Sequence, residues 1–238
     1  MTQLRPLILL IDDESKIRRL LGRALEQEGF DVVSADSAED GLSVMKKNLE
    51  KPNLIILDYM MPDMDGLMFL ETLRKEDETP VIMLSAISET GKKTKALELG
   101  ADDYVVKPFS MEELIARMRA VLRRASNTGA RKREKIFANG PLVMNQTKRI
   151  CRYKDKDVRL ADTEFRLLGV LLQHPGKIFM HEDLLRQVWG AEYIGELNYL
   201  RVSFSRIRKK LTEAGLDGSV IASYSGIGYY MEELEEDL

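Results

Sequence analysis

The sequence predicts an α/β domain with a five-stranded doubly wound parallel sheet, followed by a smaller α+β winged helix-turn-helix domain. The first domain is predicted by five short apolar runs that recur about every 24 residues, the length of a βα unit, with helical stretches between them. The second is predicted by short strand-like segments, then three helical segments, and finally a strand pair around Ser225–Gly228.

Length, composition and cysteine content indicate a globular protein of a reducing compartment. The 238 residues are enough for two hydrophobic cores, and 44% of them are hydrophobic and 32% charged. The single cysteine, Cys151, excludes an internal disulfide. No apolar run approaches the roughly 20 residues of a membrane span, and the first residues lack a signal peptide's cleavage region. We therefore expect a cytoplasmic protein that does not enter a membrane.

Charge is divided unevenly along the chain. Residues 1–124 carry a net charge of −5, residues 125–231 carry +7, and residues 232–238 carry −5. An acidic segment joined to a basic one indicates that the first handles a cation and the second a polyanion.

The predicted strands of the first domain are mostly continuous apolar runs, typical of strands covered on both faces. Capping residues precede several of the helices, with Asp63 or Asp65 before the third and Ser110 before the fifth. The predicted strands are Leu7–Ile11, Asp31–Ala35, Asn53–Leu57, Val81–Leu84 and Tyr104–Val106; the capped helices are Lys16–Glu28 after Ser15, Ala38–Leu49 after Ser37, Gly66–Lys75 and Met111–Arg124.

Polar side chains stand where these strands end. Asp12 and Asp13 follow the first strand, Asp58 the third, Ser85 the fourth and Lys107 the fifth. The carboxyl ends of parallel strands share one edge of a sheet, so these side chains should meet there. Three carboxylates need a cation between them, and an oxygen-only set suits Mg2+ better than zinc. Each residue alone fits a solvated turn or a surface position, whereas the five together predict a site.

The chemistry expected at this site is phosphoryl transfer to a carboxylate, because an aspartate can serve as the nucleophile. Mg2+ and Lys107 would neutralise charge on the transferred group, and the Ser85 hydroxyl would donate to one of its oxygens. An Mg2+-dependent phosphohydrolase is an alternative. It would want a second acid two residues after Asp58, and that position is Met60.

Residues 7–124 resemble the flavodoxin-like receiver domains of two-component response regulators. The motifs LLIDDE, LIILDYMMPDMDG, PVIMLSA and GADDYVVKPF carry the resemblance. It implies that Asp58 is the phosphoacceptor, whose only activity is Mg2+-dependent self-phosphorylation and self-dephosphorylation. It also implies a metal site formed by Asp12, Asp13, Asp58 and the Met60 carbonyl. The residues that bind the phosphoryl group and act as the switch would be Ser85, Tyr104 and Lys107.

The same resemblance implies two protein partners. A sensor histidine kinase would dock on the first helix, near Ser15, Arg18, Arg19, Gly22 and Arg23. A second copy would pair through the fourth helix, fifth strand and fifth helix, with Asp102, Asp103, Arg117, Arg119 and Arg123 at the dimer face. The fourth helix has Lys92, Lys93 and Lys95 where an acid and arginines are usual, and lysine lacks the two-pronged arginine fork. A receiver that serves only as a constitutive dimerisation module therefore stays an alternative.

Residues 125–135 lack an apolar period and are predicted to be a linker between domains at 1–124 and 136–238, the latter including the acidic tail. After it, Ile136–Leu160 reads as a small antiparallel sheet. Three helices are then expected: Glu164–Gln173 after a Thr163 cap, His181–Trp189 and Leu197–Ala214.

The third of these helices has a cationic face that suits the major groove of DNA. At 100° per residue, Leu200, Phe204, Ile207 and Leu211 form one core stripe. The predicted DNA-binding residues lie opposite that stripe or beside it: Asn198, Arg201, Val202, Ser205, Arg206, Arg208, Lys209 and Lys210. Trp189 is expected to be a core or loop anchor.

Residues 136–231 resemble the DNA-binding domain of the OmpR/PhoB subfamily of response regulators. The motifs RLADTEFRLLGVLLQHPGKIF, LLRQVWG, SRIRKKL and GIGYY carry this likeness. It implies a homodimer that forms on phosphorylation, binds direct repeats in promoter DNA and contacts RNA polymerase. NYLRVSFSRIRKKL and SGIGY are most similar to members that control potassium-transport genes. Many relatives place an arginine in the wing, where this chain has Ser225 and Tyr230.

Overall fold

A computed structural model of the protein describes residues 5–47, 51–86, 90–126 and 135–235. The chain divides into two compact units, Met1–Ala125 and Ser126–Leu238. Of the predicted linker, residues 127–134 lie outside the described ranges. In the described parts of the chain, no helix is both long enough and apolar enough to cross a membrane.

The first unit contains the predicted five-stranded parallel sheet. Its strands lie in the order β2-β1-β3-β4-β5, and every neighbouring pair is parallel. The strands are β1 (Leu7–Ile11), β2 (Asp31–Ala35), β3 (Leu54–Asp58), β4 (Val81–Ser85) and β5 (Asp103–Val106). All residues of β3 and β4 are buried, as their continuous apolar sequences predict.

Five helices connect these strands. They are α1 (Ser15–Gln27), α2 (Ala38–Lys47), α3 (Gly66–Leu73), α4 (Thr90–Leu99) and α5 (Met111–Ser126). Asp65 caps α3 by accepting a hydrogen bond from the Met68 N–H at 2.8 Å, which decides between the two predicted caps. The expectation that Ser15 caps α1 is wrong, because Ser15 is already helical and Glu14 precedes it without a side-chain capping bond.

The second unit begins with the antiparallel sheet β6-β7-β8-β9, and α7, α8 and a terminal hairpin make the winged helix-turn-helix. Its elements are β6 (Ile136–Asn139), β7 (Leu142–Asn145), β8 (Ile150–Tyr153), β9 (Lys156–Asp157), α6 (Asp162–Leu172), β10 (Phe179–Met180), α7 (His181–Val188), α8 (Leu197–Ala214), β11 (Ile221–Tyr224) and β12 (Gly228–Met231). Strand β10 adds a third strand to the hairpin by pairing with β12.

Two sequence predictions in this unit are wrong in detail. Thr163 does not cap α6, since the helix starts at Asp162 after the extended residue Ala161. The antiparallel sheet predicted for Ile136–Leu160 ends earlier, because its last strand, β9, is Lys156–Asp157. Strand β10 was not predicted, because a two-residue strand carries no periodic signal.

Candidate functional site

Three carboxylates meet at the carboxyl edge of the first sheet. Asp12 directly follows β1 and Asp58 ends the neighbouring strand β3, so the strand order alone brings the two together. Asp12, Asp13 and Asp58 each offer an oxygen within 4.8 Å of the others. Asp12 and Asp58 are buried whereas Asp13 is exposed, so the cluster is open on one side. A set of carboxylate oxygens at this spacing fits a hard divalent cation such as Mg2+.

Lys107 supplies a fixed positive charge to the same cluster. Its Nζ lies 2.7 Å from Oδ1 of Asp58 and 3.3 Å from Oδ2 of Asp12. Burial raises the pKa of Asp58, and the hydrogen bond and charge of Lys107 offset only part of that effect. Burial by itself would lower the pKa of Lys107, but Asp58 and Asp12 outweigh it, and the pKa is raised. The ammonium therefore stays charged beside the carboxylate.

Asp12 is held in place by its own neighbours. The Glu14 N–H donates to Oδ1 of Asp12 at 2.8 Å, and the Arg18 guanidinium donates to the Asp12 carbonyl oxygen at 2.6 Å. The side chain and backbone of Asp12 are thus both fixed by the start of α1, which leaves its second carboxylate oxygen directed to Lys107.

The loop after Asp58 folds back so closely on itself that only glycine fits at position 66. Gly66 donates its N–H to the Tyr59 carbonyl at 3.0 Å. A Cβ at Gly66 would lie 2.4 Å from the Asp58 carbonyl oxygen, which is too close for any side chain. Met60, whose carbonyl is a predicted metal ligand, lies inside this loop and is 60% exposed.

The predicted switch residues Ser85 and Tyr104 are both buried. Ser85 ends β4, the strand next to β3, so it lies at the same sheet edge as Asp58. Tyr104 is on β5 and pairs with Met83, two residues before Ser85.

The predicted dimer-face acids are not surface residues. Asp102 is buried and accepts from the Val81 N–H at 3.0 Å and from Arg74 at 3.4 Å. Asp103 is buried and pairs with Arg117 at 3.2 Å, and Arg117 also contacts Glu113 at 3.0 Å. Arginines distant in sequence therefore hold both acids inside the domain, and a role for them at a dimer face stays a prediction.

The other predicted dimer-face residues differ in their surroundings. Arg119 pairs with Glu28 across α5 and α1 at 2.6 Å. Arg123 is exposed.

Helix α8 presents an exposed polar stripe. Arg201, Ser205 and Lys209 are exposed and Asn198 is half-buried, while the predicted core stripe is fully buried. The placement of Val202 on the exposed face is wrong, since it is only 7% exposed. Helix α8 packs against both α6 and α7, so its buried sector is wider than one stripe.

Three predicted DNA-binding cations of α8 make contacts within the domain. The Arg206 Nε lies 2.9 Å from Oε1 of Glu164 and the Lys210 Nζ lies 2.8 Å from its Oε2. The Arg208 Nε donates to the Ile221 carbonyl at 2.8 Å, and its guanidinium lies over the Tyr229 ring. Glu164 was not among the site residues predicted from the sequence. Its position in the apolar stretch EFRLLGVLL of α6 was the signal that a buried acid needs a cationic partner.

The wing between β11 and β12 exposes Tyr224 and Ile227. Trp189 is buried and meets the Tyr199 ring edge-on at a centroid distance of 5.6 Å, which confirms it as a core anchor.

A groove of about 540 Å³ is lined by residues of α1 and of β2, the edge strand of the sheet. It is lined by the residues predicted to meet the kinase, together with residues of β2 and the end of α1: Ser15, Arg18, Arg19, Gly22, Arg23, Glu26, Val32 and Ser34.

Comparisons with known proteins agree with this architecture. The family model "Response regulator receiver domain" matches residues 8–119, and "Transcriptional regulatory protein, C terminal" matches residues 155–231. The chain is 41% identical to a probable transcriptional regulator, ycf27, of Porphyridium aerugineum, over 97% of this chain and 98% of that protein. It is 40% identical to the KDP operon transcriptional regulatory protein KdpE of Escherichia coli strain K12, over 93% and 97%.

A solved structure is similar to nearly the whole chain. A cysteine mutant of RitR superposes with a TM-score of 0.76 at 26% identity, covering 96% of this chain and all of that one. The receiver and the winged-helix domain are therefore both matched, each at the position where the sequence motifs lie. The chain belongs to the OmpR/PhoB family of two-component response regulators, which are transcriptional regulators with a receiver domain and a DNA-binding domain.

Proposed function

We propose that the protein is a phosphorylation-dependent regulator whose phosphoacceptor is Asp58. The observation that carries this proposal is the buried Asp58 carboxylate 2.7 Å from Lys107, beside two further carboxylates. In the transfer step, a carboxylate oxygen of Asp58 attacks the phosphorus of the donor, the bond from phosphorus to the donor's leaving atom breaks, and an aspartyl phosphate forms. Lys107 would hold one phosphoryl oxygen, and Ser85 would donate to another with Tyr104 moving in concert.

The metal for this step would be Mg2+, held by Asp12, Asp13, Asp58 and the Met60 carbonyl. The donor set is oxygen-only, and burial raises the pKa of Asp58 by more than Lys107 offsets, so a further positive charge beside it would stabilise the carboxylate. When bound, Mg2+ would neutralise charge on the transferred phosphoryl group. Self-phosphorylation and self-dephosphorylation would be the only reactions, since Met60 leaves no second acid for turnover on another substrate.

The phosphoryl donor would be a sensor histidine kinase seated on α1. The groove beside that helix carries Arg18, Arg19 and Arg23, three of the residues expected to meet the kinase. Phosphorylation would bias an existing equilibrium toward a form whose receivers pair as a homodimer. Because Asp102 and Asp103 are buried and paired within the domain, the exposed Arg119 and Arg123 are the predicted dimer-face residues best placed to contact a second copy.

The paired form would bind direct repeats in promoter DNA through α8. It would do so in the cytoplasm, where it would also contact RNA polymerase. Two linked domains reach both half-sites within one complex, which raises affinity through effective concentration. Exposed Arg201, Ser205 and Lys209, with half-buried Asn198, are best placed to meet the groove. Arg206, whose side chain is 15% exposed, lies at the edge of this stripe. Potassium-transport genes are the proposed target because a 40% identical relative is named for the KDP operon.

A labelling experiment tests the acceptor. Incubation of the full chain with acetyl phosphate and Mg2+ should add one phosphoryl group by intact mass, and Asp58→Asn should remove this gain completely. Asp63→Asn is a matched control, because Asp63 is an exposed acid of the same loop. A label that persists in Asp58→Asn, or that is lost in Asp63→Asn, would show that another residue is the acceptor.

A further inference from the structure

A fully buried carboxylate faces the recognition helix from inside the second unit. Glu164 lies in the first turn of α6 with none of its surface exposed. It accepts from the Ala161 N–H at 2.7 Å, and it pairs with Arg206 at 2.9 Å and with Lys210 at 2.8 Å. One anion thus gathers two cations from α8, the helix that is proposed to read DNA.

We propose that Glu164 is a positioning residue for DNA recognition, which fixes the orientation of Arg206 at the edge of the DNA-reading stripe and withdraws Lys210 from the DNA phosphates. This inference rests on the proposed DNA-binding function of α8. It concerns which cationic side chains of that helix contact DNA and which pair with a buried carboxylate inside the domain.

The geometry of α8 supports this division. Arg206 and Lys210 are four residues apart and so lie on one side of the helix, one turn from each other, where a single carboxylate can reach both. Lys209, next to Lys210 in sequence, points the other way: its side chain is 78% exposed, against 22% for Lys210. Adjacent lysines of the same helix therefore have different surroundings.

The electrostatics of Glu164 point the same way. Burial alone would raise the pKa of its carboxyl, but the charges of Arg206 and Lys210 and the hydrogen bonds from Lys210 and Ala161 overcome that effect and lower it. The carboxylate is ionised at neutral pH, and Glu164→Gln would remove the buried negative charge that both cations contact. Both long side chains could then turn to the surface and to any nearby phosphate.

A second buried acid of α6 provides a matched control. Asp162 is also buried and also paired, with Arg149 at 2.6 Å, but its partner is not on α8. Asp162→Asn and Glu164→Gln each remove one buried negative charge from the same helix turn. Only the second releases cations of the recognition helix.

The experiment measures binding of the full chain, with acetyl phosphate and Mg2+ present, to a selected operator duplex and to a random duplex across a salt series. We expect Glu164→Gln to lower the preference for the operator about tenfold through the misplaced Arg206. It should also tighten random-duplex binding and steepen its dependence on log salt by about 0.9 for each cation that reaches a phosphate. Asp162→Asn should leave the preference and the salt slope unchanged. If Glu164→Gln behaves as Asp162→Asn does, Glu164 is purely structural and the inference is wrong.

Two lysine variants test the same inference with Glu164 intact, so that its pairing with Arg206 still supports the fold. Lys209→Met should make the salt slope shallower by about 0.9, the effect of one lost phosphate contact, whereas Lys210→Met should leave it unchanged. If both variants change the salt slope equally, Lys210 contacts a DNA phosphate as Lys209 does, and the proposal that Glu164 holds it away from DNA is wrong. A wild-type chain with no operator preference would refute the proposed function itself, whereas a wild type that discriminates alongside an unaltered Glu164→Gln refutes only this inference.

Discussion

Lys107→Met is expected to abolish the effect of a phosphodonor on DNA binding while tightening the binding of Mg2+ about tenfold. The two effects have opposite signs because Lys107 is a cation in a cation site. Its ammonium, 2.7 Å from Asp58 and 3.3 Å from Asp12, repels a metal bound to the same carboxylates. A unit charge about 4 Å away is worth about 4 kcal/mol at an effective dielectric of about 20, and solvent reduces this at a partly exposed group. The phosphoryl group would meanwhile lose its fixed positive partner.

Calorimetric titration with Mg2+ and operator binding with and without acetyl phosphate measure the two effects separately. Lys16→Met is the matched control, since Lys16 is an exposed lysine of the same domain and should alter neither. A variant Lys107→Met that binds Mg2+ no more tightly and still responds to the donor would place Lys107 outside the site.

Gly66→Ala is expected to destabilise the first unit by about 1–3 kcal/mol, the usual cost of overpacking, and to remove phosphorylation with it. The added Cβ would lie 2.4 Å from the Asp58 carbonyl oxygen and 3.1 Å from the Tyr59 Cα. Both neighbours are backbone, so neither can rotate away. The loop must shift at the residue that accepts the phosphoryl group, and a displaced nucleophile loses reactivity even where the domain still folds.

Unfolding followed by two probes isolates this effect. Far-UV circular dichroism reports both units, whereas the single tryptophan, Trp189, lies in the second unit and reports that unit alone. The variant should show an earlier circular-dichroism transition and an unchanged fluorescence midpoint. Gly91→Ala is the control, because a Cβ at Gly91 has no atom within 4 Å. If the two substitutions alter stability equally, the close approach at Gly66 does not matter.

The sequence predicted the sheet and the acidic site well for a physical reason. Strands buried on both faces, such as β3 and β4, are short continuous apolar runs, and their register in a parallel sheet places Asp12, Asp58 and Ser85 at one edge without further information. Gly66 was predicted as the first residue of the third helix, but its contact with the Asp58 carbonyl depends on how the preceding loop folds back, which no local pattern encodes.

The contacts of long charged side chains could not be predicted from strand patterns or helical periodicity. A helical wheel gives the angle of each residue on α8 but not the width of the sector that α6 and α7 cover, so Val202 was assigned to the wrong face. Arg206 and Lys210 were expected to be exposed because the sequence does not show that Glu164, 46 residues before Lys210, is buried beneath them. The arginine partners of Asp102 and Asp103 were not predictable for the same reason, since Arg74 and Arg117 are 28 and 14 residues away.

Operator binding with and without acetyl phosphate and Mg2+, compared between wild type and Asp58→Asn, tests most directly whether the chemistry of the first unit controls the second. The operator is first selected from random duplexes with the wild-type chain. We expect the donor to tighten operator binding by the wild type and to leave binding by Asp58→Asn unchanged. Equal binding by both proteins, with or without the donor, would contradict it and would mean that the receiver acts only as a constitutive dimerisation module.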